Sequence, residues 1–363
     1  MAHVSIVGGG IIGLLAAREL RAAGLDITVF DRGQIGREAS WAGSGILSPL
    51  HPWRQPHAIH PLSLWSQRVY PDLAAALADE SGVDPQLTAS GLLLPDCPDA
   101  DLACEWAAQW RVRAERLDAA ALRDAEPALA AHGGGLLLPD VAQVRNPRLL
   151  RALRVSLQRA GVRFEEHCEV LGLATGGARV VGLDTRHGRR PVDRLLVAGG
   201  AWSGELLRAG GVDLPIAPVR GQILALQIPP GRVRHVLLAQ DHYLVPRRDG
   251  LVLAGSTVEH VGFDKAVPPS AAIGLRAAAA HLVPELAHAP QVAHWAGLRP
   301  GSPDGVPYIG HHPHFENVVV SAGHYRSGLT LAPASAALVS ALLTDRPPPV
   351  DPQPYRLDRP PAG

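Results

Sequence analysis

The stretch His3-Val4-Ser5-Ile6-Val7-Gly8-Gly9-Gly10-Ile11-Ile12-Gly13 decides the fold of this chain. Residues 3–7 have the pattern of a short β-strand, and apolar residues then recur at helical spacing until Gly24. Residues 25–30 follow as a second strand pattern, which Asp31 closes. The opening of the chain therefore predicts one complete βαβ unit.

The glycine spacing within this unit indicates a dinucleotide site. Gly8 permits a tight turn, Gly10 lets the backbone approach a pyrophosphate, and Gly13 lets the helix pack against the strand. The phosphates would lie at the N-terminus of the helix, where unpaired N–H groups and the helix dipole favour an anion. Asp31 stands where a carboxylate can accept hydrogen bonds from ribose hydroxyls. A purely structural glycine turn is the alternative, and the strand, helix and acid around the motif argue against it.

Beyond this unit the regular α/β alternation stops. Helices are predicted near 62–81, 102–115, 146–160, 270–282 and 331–343, with a strand-rich segment between residues 218 and 257. A nicotinamide dehydrogenase would continue strand-helix-strand through its first half, so the layout favours a flavoprotein with a separate substrate lobe. The predicted class is α/β (α+β), a split Rossmann-like FAD-binding domain with an inserted antiparallel-sheet substrate domain. The predicted bounds are 1–80, 140–215 and 310–345 for the FAD-binding domain, 81–139 and 216–309 for the substrate domain, and 346–363 for a Pro-rich tail that trails over the surface.

Composition excludes several classes of protein. Hydrophobic residues make up 47% and charged residues 19% of the 363 residues, which is typical of a globular chain. The formal net charge of zero gives no electrostatic footprint for nucleic acid or an anionic membrane. Three cysteines without CxxC spacing argue against a disulfide framework or structural zinc. With no signal-peptide pattern and no apolar run long enough to span a bilayer, a cytoplasmic protein is predicted.

Three motifs resemble those of one family. Residues 31–45 (DRGQIGREASWAGSG) are similar to the flavin-contact segment of the thiamine-pathway glycine oxidases. Residues 295–301 (WAGLRPG), with 304–305 and 307–310 after them, resemble the segment that carries the substrate-binding arginine of that family. Residues 323–328 (GHYRSG) and 331–334 resemble its C-terminal flavin segment. The chain is thus identified as a member of the D-amino-acid oxidase family, with a resemblance along its full length.

The resemblance implies a site. Arg299 would bind the substrate carboxylate, and Tyr243 and Arg326 would complete the pocket. A guanidinium can fix a carboxylate bidentately, as a lysine cannot. The residues implied in FAD binding are Gly8, Gly10, Ile11, Ile12, Gly13, Asp31, Arg32, Ala39, Ser40, Ser44, Gly45, Ile46, Val170, His324, Tyr325, Arg326, Ser327, Gly328, Leu329 and Thr330.

The resemblance also implies a reaction. An FAD-dependent oxidase of glycine or another small amino acid would give an imine or oxoacid, ammonia or an amine, and hydrogen peroxide. No cysteine follows Cys168, and Trp41 precedes Ala42 rather than histidine, so neither attachment point of the covalent relatives is present and non-covalent FAD is expected. A homotetramer or homodimer is implied by analogy.

Several alternatives stay open at this point. A D-amino-acid dehydrogenase, a secondary-amine (sarcosine-like) oxidase and a non-catalytic FAD-binding protein share the same motifs. The loop with His311, His312 and His314 lacks carboxylate or thiolate partners at ligand spacing, so no metal site is predicted. Residues 51–57 (HPWRQPH) could form a wall or lid of the pocket, or an ordinary surface loop.

Overall fold

The structure of the protein is a computed structural model that describes residues 2–359. No helix in this part of the chain combines the length and the hydropathy needed to cross a bilayer. The helices are α1 (Ile11–Ala22), α2 (Ala39–Ala42), α3 (Ile59–Ser81), α4 (Ala100–Trp110), α5 (Ala119–Ala125), α6 (Asn146–Arg159), α7 (Ser203–Ala209), α8 (Pro269–Leu282) and α9 (Gly328–Thr344).

The strands form two large sheets and two small ones. They are β1 (His3–Val7), β2 (Asp26–Phe30), β3 (Thr88–Ala89), β4 (Leu92–Pro95), β5 (Glu115–Asp118), β6 (Gly134–Leu138), β7 (Ala142–Gln143), β8 (Arg163–Glu165), β9 (Val170–Gly176), β10 (Arg179–Thr185), β11 (Gly188–Pro191), β12 (Arg194–Val197), β13 (Ala217–Gln227), β14 (Val236–Ala239), β15 (His242–Pro246), β16 (Leu251–Gly255), β17 (Gln291–Gly301), β18 (Tyr308–His311) and β19 (Val318–Ala322).

The first large sheet contains the predicted βαβ unit. Its order is β18-β19-β12-β1-β2-β8, and β1 pairs in parallel with both β2 and β12. Because these strands run in the same direction, the segments that follow them meet at one edge of the sheet. Helices α1 and α9 pack on it and α3 packs on α9, around fully buried side chains such as Leu14, Tyr70 and Leu338. The Tyr70 hydroxyl donates to the carbonyl of Leu329 at 2.5 Å, which ties α3 to the first turn of α9.

The second large sheet is built from two separate stretches of the chain. Its order is β17-β13-β16-β15-β14-β4-β6-β5, antiparallel throughout except where β14 meets β4. Strands β4, β5 and β6 come from the stretch before α6, and the other five come from residues 217–301. The predicted class, a split Rossmann-like domain with an inserted antiparallel sheet, is confirmed.

Local predictions differ from the structure in several places, among them the end of α4 and strands β9 and β17. The helix predicted over 102–115 ends at Trp110, where Arg111 turns into the left-handed region (φ 56°), and Glu115 begins β5. Strand β9 was not predicted, because its exposed Leu171 breaks the inward pattern of a buried strand. Strand β17 was not predicted either. It lies at the edge of the sheet and begins with three exposed residues, so it lacks the apolar run of a central strand.

The predicted tail does lie largely at the surface, but the prediction that it only trails there is wrong at Tyr355 and Arg359. Tyr355 is buried and its hydroxyl donates to the carbonyl of Ala58 at 2.7 Å. The Arg359 side chain, only 7% exposed, pairs with Asp304 at 3.0 Å and lies over the Tyr308 ring at 3.9 Å from its centroid. The proline content of the tail gave no sign of these two buried side chains. Residues 360–363 lie outside the described part of the chain.

Candidate active site

A cavity of about 440 Å³ lies where the carboxyl ends of β1, β2 and β12 face strands β13, β15 and β17. Both sheets therefore contribute to it. Of the residues predicted from the sequence, Gly13 and Ser327 do not line this cavity. The others do, namely Gly8, Gly10, Ile11, Ile12, Asp31, Arg32, Ala39, Ser40, Ser44, Gly45, Ile46, Val170, Tyr243, Arg299, His324, Tyr325, Arg326, Gly328, Leu329 and Thr330.

The first turn of α1 forms one end of the cavity. A Cβ on Gly13 would lie 1.9 Å from the carbonyl oxygen of Gly8, so the helix can pack on the turn only with glycine there. The amide of Ile11 donates to Ser40 Oγ at 2.9 Å, which holds α2 against the end of α1. This end of the cavity presents helix N–H groups and a hydroxyl, a donor set that suits an anion.

Asp31 organises the glycine turn from the end of β2. Its Oδ2 accepts from the amide of Gly9 at 2.8 Å, and its Oδ1 accepts from the amide of Gly33 at 2.8 Å. Burial raises the pKa of this carboxyl, and the two amides oppose that shift. Each oxygen keeps a lone pair, so the group can also accept from a hydroxyl in the cavity.

Arg299 projects from β17 into the other end of the cavity. Its Nη2 donates to Ser256 Oγ at 2.7 Å, and its Nη1 donates to the carbonyl of Thr257 at 3.1 Å. The guanidinium lies against Gly221, where a Cβ would come within 2.2 Å of it. Burial lowers the pKa of Arg299, the Tyr243 hydroxyl opposes that shift, and Arg326 adds to it. Arg299 has no carboxylate partner in residues 2–359, so its charge is available to an anionic ligand.

Tyr243 and Arg326 stand near this anchor but are held differently. Tyr243 is buried within β15. Arg326 is exposed, and no acidic side chain in the described structure pairs with it. Two guanidinium groups and a phenol therefore converge at one end of the cavity, which is an arrangement for a small carboxylate.

The loop before α9 closes the cavity between these two ends. His324 is buried, and its Nε2 lies 3.0 Å from Ser335 Oγ. Burial lowers the pKa of His324 to about 3, so the ring is neutral near pH 7. The amide of Tyr325 donates to the carbonyl of Pro300 at 2.9 Å, so the loop is fixed next to Arg299. Gly328, Leu329 and Thr330 bring the first turn of α9, and its positive dipole end, to the cavity.

Sequence reasoning missed several residues of the site. Ala198 to Trp202 line the cavity after β12, and the parallel pairing of β12 with β1 could have placed them there. Asn146 Oδ1 and Ser321 Oγ belong to lining residues and are buried without a partner among residues 2–359. Arg247 is buried and donates to the carbonyl of Ser44 at 2.7 Å, which holds the predicted flavin loop from behind. Asn146, Ser321 and Arg247 belong to no local sequence motif that could have indicated these positions.

Two further segments lie outside this cavity. Residues 51–57 do not line it, although the preceding Leu50 does. Arg54 pairs instead with Asp99 at 2.6 Å, and Trp53 Nε1 donates to the same carboxylate at 2.7 Å. Within the described residues no group of three or more His, Cys, Asp or Glu side chains is placed to hold a metal ion.

The lining fits a flavin dinucleotide on its own evidence. Two helix N-termini, an acid that can accept from a ribose and two unpartnered buried oxygens offer polar partners along its length. Ile11, Ile12, Ile46 and Val170 supply apolar walls for ring systems. The arginine end then leaves a small anionic subsite beside the dinucleotide.

Comparisons with known proteins agree with this geometry. The profile of the family described as DAO, FAD dependent oxidoreductase, matches residues 3–342. A glycine oxidase of Pseudomonas aeruginosa is 48% identical over 366 residues and 99% of each chain. A glycine oxidase of Pseudomonas putida is 45% identical over 97% of each chain. The crystal structure of glycine oxidase from Geobacillus kaustophilus superposes with a TM-score of 0.93 at 32% identity and covers 99% of each chain.

Proposed function

The chain belongs to the DAO family of FAD-dependent oxidoreductases, and we propose that it oxidises glycine or another small primary or secondary amino acid. The observation that carries this proposal is Arg299, a guanidinium that faces the cavity from β17 and has no carboxylate partner within the described part of the chain. Two relatives at 45% and 48% identity bear the name glycine oxidase, which supports a small substrate.

We propose that FAD lies along the cavity with its pyrophosphate at α1 and its ring system beside α9. Asp31 would accept from the adenosine ribose, and the first turn of α9 would stabilise negative charge on the reduced ring. Gly13 and Ser327 do not line the cavity and would contribute to FAD binding indirectly. Gly13 would do so by allowing α1 to pack on Gly8. The binding would be non-covalent, since no cysteine follows Cys168 and Ala42 follows Trp41.

The substrate would be oriented by its carboxylate. Arg299 would bind the carboxylate, and Tyr243 and Arg326 would add a hydroxyl and a second positive charge, leaving the α-carbon between them and the flavin. When bound, FAD would supply the acceptor for the hydride of the α-carbon of the neutral amine, and its reoxidation by oxygen would give hydrogen peroxide. Water then hydrolyses the released imine to an oxoacid and ammonia. No side chain of the cavity is assigned as a general base, because a neutral amine needs none for hydride loss.

An oxygen-electrode assay of the purified yellow protein tests this function. Glycine, sarcosine, D-alanine and D-proline should each be compared, and glycine or sarcosine should consume oxygen with release of peroxide. Flavin bleaching under anaerobic conditions without oxygen uptake in air would indicate a dehydrogenase. A flavin that no amine bleaches would indicate a non-catalytic FAD-binding protein. Acid precipitation should leave the yellow colour in the supernatant, and colour in the pellet would overturn non-covalent binding.

We also propose a domain division and an assembly. The FAD-binding domain would comprise residues 1–80, 140–215 and 308–345, because β18 begins at Tyr308 and belongs to the first sheet, which moves the boundary predicted at residue 310. The substrate domain would comprise 81–139 and 216–307.

The surface from Val258 to Val292 exposes Val258, Val261, Phe263, Val267, Ile273 and Val292, and we propose that further copies of the chain cover it. Light scattering of the parent and of Ile273→Arg tests this. A cytoplasmic location stays a prediction.

A further inference from the structure

The segment that follows β16 carries the acceptors that hold Arg299. Ser256 Oγ and the carbonyl of Thr257 both accept from the guanidinium. This segment continues along β13 as an extension of β16. The amide of Gln222 donates to Thr257 Oγ1 at 3.0 Å, and Arg220 and Glu259 exchange two backbone hydrogen bonds of 2.9 and 3.0 Å. The position of Arg299 therefore depends on how firmly residues 256–259 are attached to β13.

Side chains alternate along β13, so the two faces of this strand have different tasks. Gly221 and Ile223 face the cavity. The side chains of Arg220 and Gln222 are buried on the opposite face. They donate hydrogen bonds to the Glu259 carboxylate, away from the lining of the cavity. An ionic cluster of the buried Arg220 and the partly buried Glu259 thus lies behind the substrate anchor, on the other face of the strand that supports it.

Glu259 is the centre of this cluster. Its Oε1 accepts from Gln222 Nε2 at 2.7 Å and from Thr257 Oγ1 at 2.5 Å. Its Oε2 accepts from Arg220 Nη2 at 2.5 Å and from Arg220 Nε at 3.2 Å. Burial would raise the pKa of Glu259, but these hydrogen bonds lower it to about 2, so the group is ionised. Four donors therefore converge on two carboxylate oxygens.

From this arrangement, and resting on the proposed function, we propose that Glu259 is a positioning residue for the substrate anchor. It fixes Thr257 and the adjoining Ser256 on β13, and these two residues hold the Arg299 guanidinium in the orientation that binds the substrate carboxylate. Glu259 itself lies outside the cavity lining and touches neither substrate nor flavin. Its effect passes through one residue, Arg299.

The Glu259→Gln variant tests this with little change in volume. If the amide oxygen stays on Arg220, which can only donate, the amide nitrogen faces Thr257 Oγ1 and Gln222 Nε2, and both groups must turn to accept from it. The charge opposite Arg220 is lost as well, so the 256–259 segment loosens. The affinity for benzoate, titrated against the flavin spectrum, should weaken by about tenfold, below the hundredfold that a 1 Å misplacement can cost. The KM for glycine should rise in parallel, and the FAD content should stay that of the parent.

Two control variants and one variant with the same expected effect separate a positioning role of Glu259 from a contribution to general stability. Glu126→Gln alters a carboxylate that is fully buried, whereas Glu259 is partly buried, and that accepts from the amides of Arg234 and His235 four strands away from β17. It should lower the unfolding temperature and leave benzoate affinity unchanged. Asp264→Asn removes the half-exposed second partner of Arg220, which has no bond to residues 256–259, and should change the affinity by less than about twofold. Thr257→Val removes the hydroxyl that joins Gln222 to Glu259 and should weaken benzoate binding as Glu259→Gln does.

The outcomes are distinct. Unchanged benzoate affinity in Glu259→Gln would overturn the positioning role, as would an equal loss in Asp264→Asn, since the latter would show that only the charge near Arg220 matters. If Glu259→Gln does not fold, unchanged affinity in Thr257→Val would overturn the role instead. A parent protein that neither binds benzoate nor oxidises glycine would refute the proposed function, and it would do so before any Glu259 variant is compared.

Discussion

Arg299 lies directly over Gly221 on the neighbouring strand. A Cβ built on Gly221 would lie 2.2 Å from Cζ, Nη1 and Nη2 of Arg299, so the guanidinium occupies the space that any other side chain would take. Strands β13 and β17 pair Gly221 with Gly297, two residues before Arg299. The long arginine side chain therefore lies along the sheet rather than standing away from it.

The Gly221→Ala substitution should displace Arg299. The added methyl group overlaps the guanidinium, and relief of the overlap must break its bonds to Ser256 and Thr257. We expect benzoate affinity and kcat/KM for glycine to fall by at least about tenfold, roughly 1.4 kcal/mol. Gly274→Ala is the matched control, because nothing lies within 4 Å of a Cβ at this position in α8. It should be neutral or slightly stabilising, and equal affinities in the two variants would contradict the expectation.

Arg299→Ala should cripple turnover of every amino-acid substrate while the flavin content stays normal. Losing a charged hydrogen bond costs about 1.5–3 kcal/mol, and misorientation of the substrate can add about a further hundredfold to the loss in kcat/KM. Arg299→Lys should recover only part of this, since the ammonium keeps the charge but not the fork. Spectral titration with benzoate is the measurement. Undiminished affinity in Arg299→Ala would move the anchor to Arg326, which the double variant examines.

The Asp31→Asn variant should retain FAD less well than the parent, and Asp31→Ala should retain it less well still. Asparagine keeps one oxygen for the amides of Gly9 and Gly33, whereas alanine removes both acceptors and the ribose partner. Each lost bond of this type is worth about 1–3 kcal/mol. Flavin released on gel filtration gives the ranking. Asp26→Asn, at the start of the same strand and half exposed, should retain FAD as the parent does. Parent-like retention by Asp31→Ala would refute the ribose role.

Arg359→Ala should destabilise the protein and loosen the loop before α9. Arg359 and Asp304 form a buried pair, and Arg359 covers the Tyr308 ring, which packs 3.2 Å from a Cβ built on Gly323. Removal of one partner of such a pair costs about 3 kcal/mol or more. Chemical denaturation and the rate of FAD loss should both change. Arg356→Ala, an exposed residue of the same tail paired with Asp358, should stay within about 1 kcal/mol of the parent. Equal stabilities and equal rates of FAD loss in Arg359→Ala and Arg356→Ala would show that the buried part of the tail has no structural importance.

Stability should fall in mild acid because of buried histidines. Burial lowers the pKa of His60 and of His312 to about 4 and that of His324 to about 3, so all three are neutral in the folded protein. The unfolded chain takes up these protons below about pH 6.5, and the folded chain does not. Each histidine therefore removes up to about 1.4 kcal/mol of stability per pH unit until the pH reaches its folded pKa. His312→Gln, outside the cavity lining, should make the decline between pH 6 and 4.5 less steep, as measured by urea unfolding. An unaltered slope would show that His312 is protonated in the folded state.

Much of the flavin end of the cavity followed from local patterns. The turn from Gly8 to Gly13 and the carboxylate of Asp31 can be recognised in the sequence, because backbone geometry and phosphate binding require those residues at a fixed spacing. The loop from Gly323 to Gly328 was recognisable for the same reason, since a glycine-rich turn between a strand and a helix is a local feature. Whether the predicted residues contact FAD and substrate stays a prediction.

The support of the substrate end could not be predicted in this way. Gly221, Ser256 and Glu259 have no motif of their own, and their relation to Arg299 arises only from the register in which β13 pairs with β17 on one side and with residues 251–259 on the other. Arg247 and Arg359 are similar cases, because each stands alone in the sequence and finds its partners far along the chain. Long-range pairing of this kind is decided by tertiary packing, which no window of sequence contains.

Lys265 is the one lysine in the sequence, and its ammonium donates to both oxygens of Glu38 at 3.0 and 3.1 Å. Glu38 lines the cavity, so this single amine is attached to the loop that borders it. Coupling through lysine side chains to an activated resin would therefore immobilise every molecule at the same point, with that border turned towards the support. Acylation would also cancel the charge that pairs with Glu38. Glutaraldehyde or succinimidyl ester chemistry on this protein therefore labels one side chain, Lys265 beside the cavity, in addition to the α-amino group of the chain.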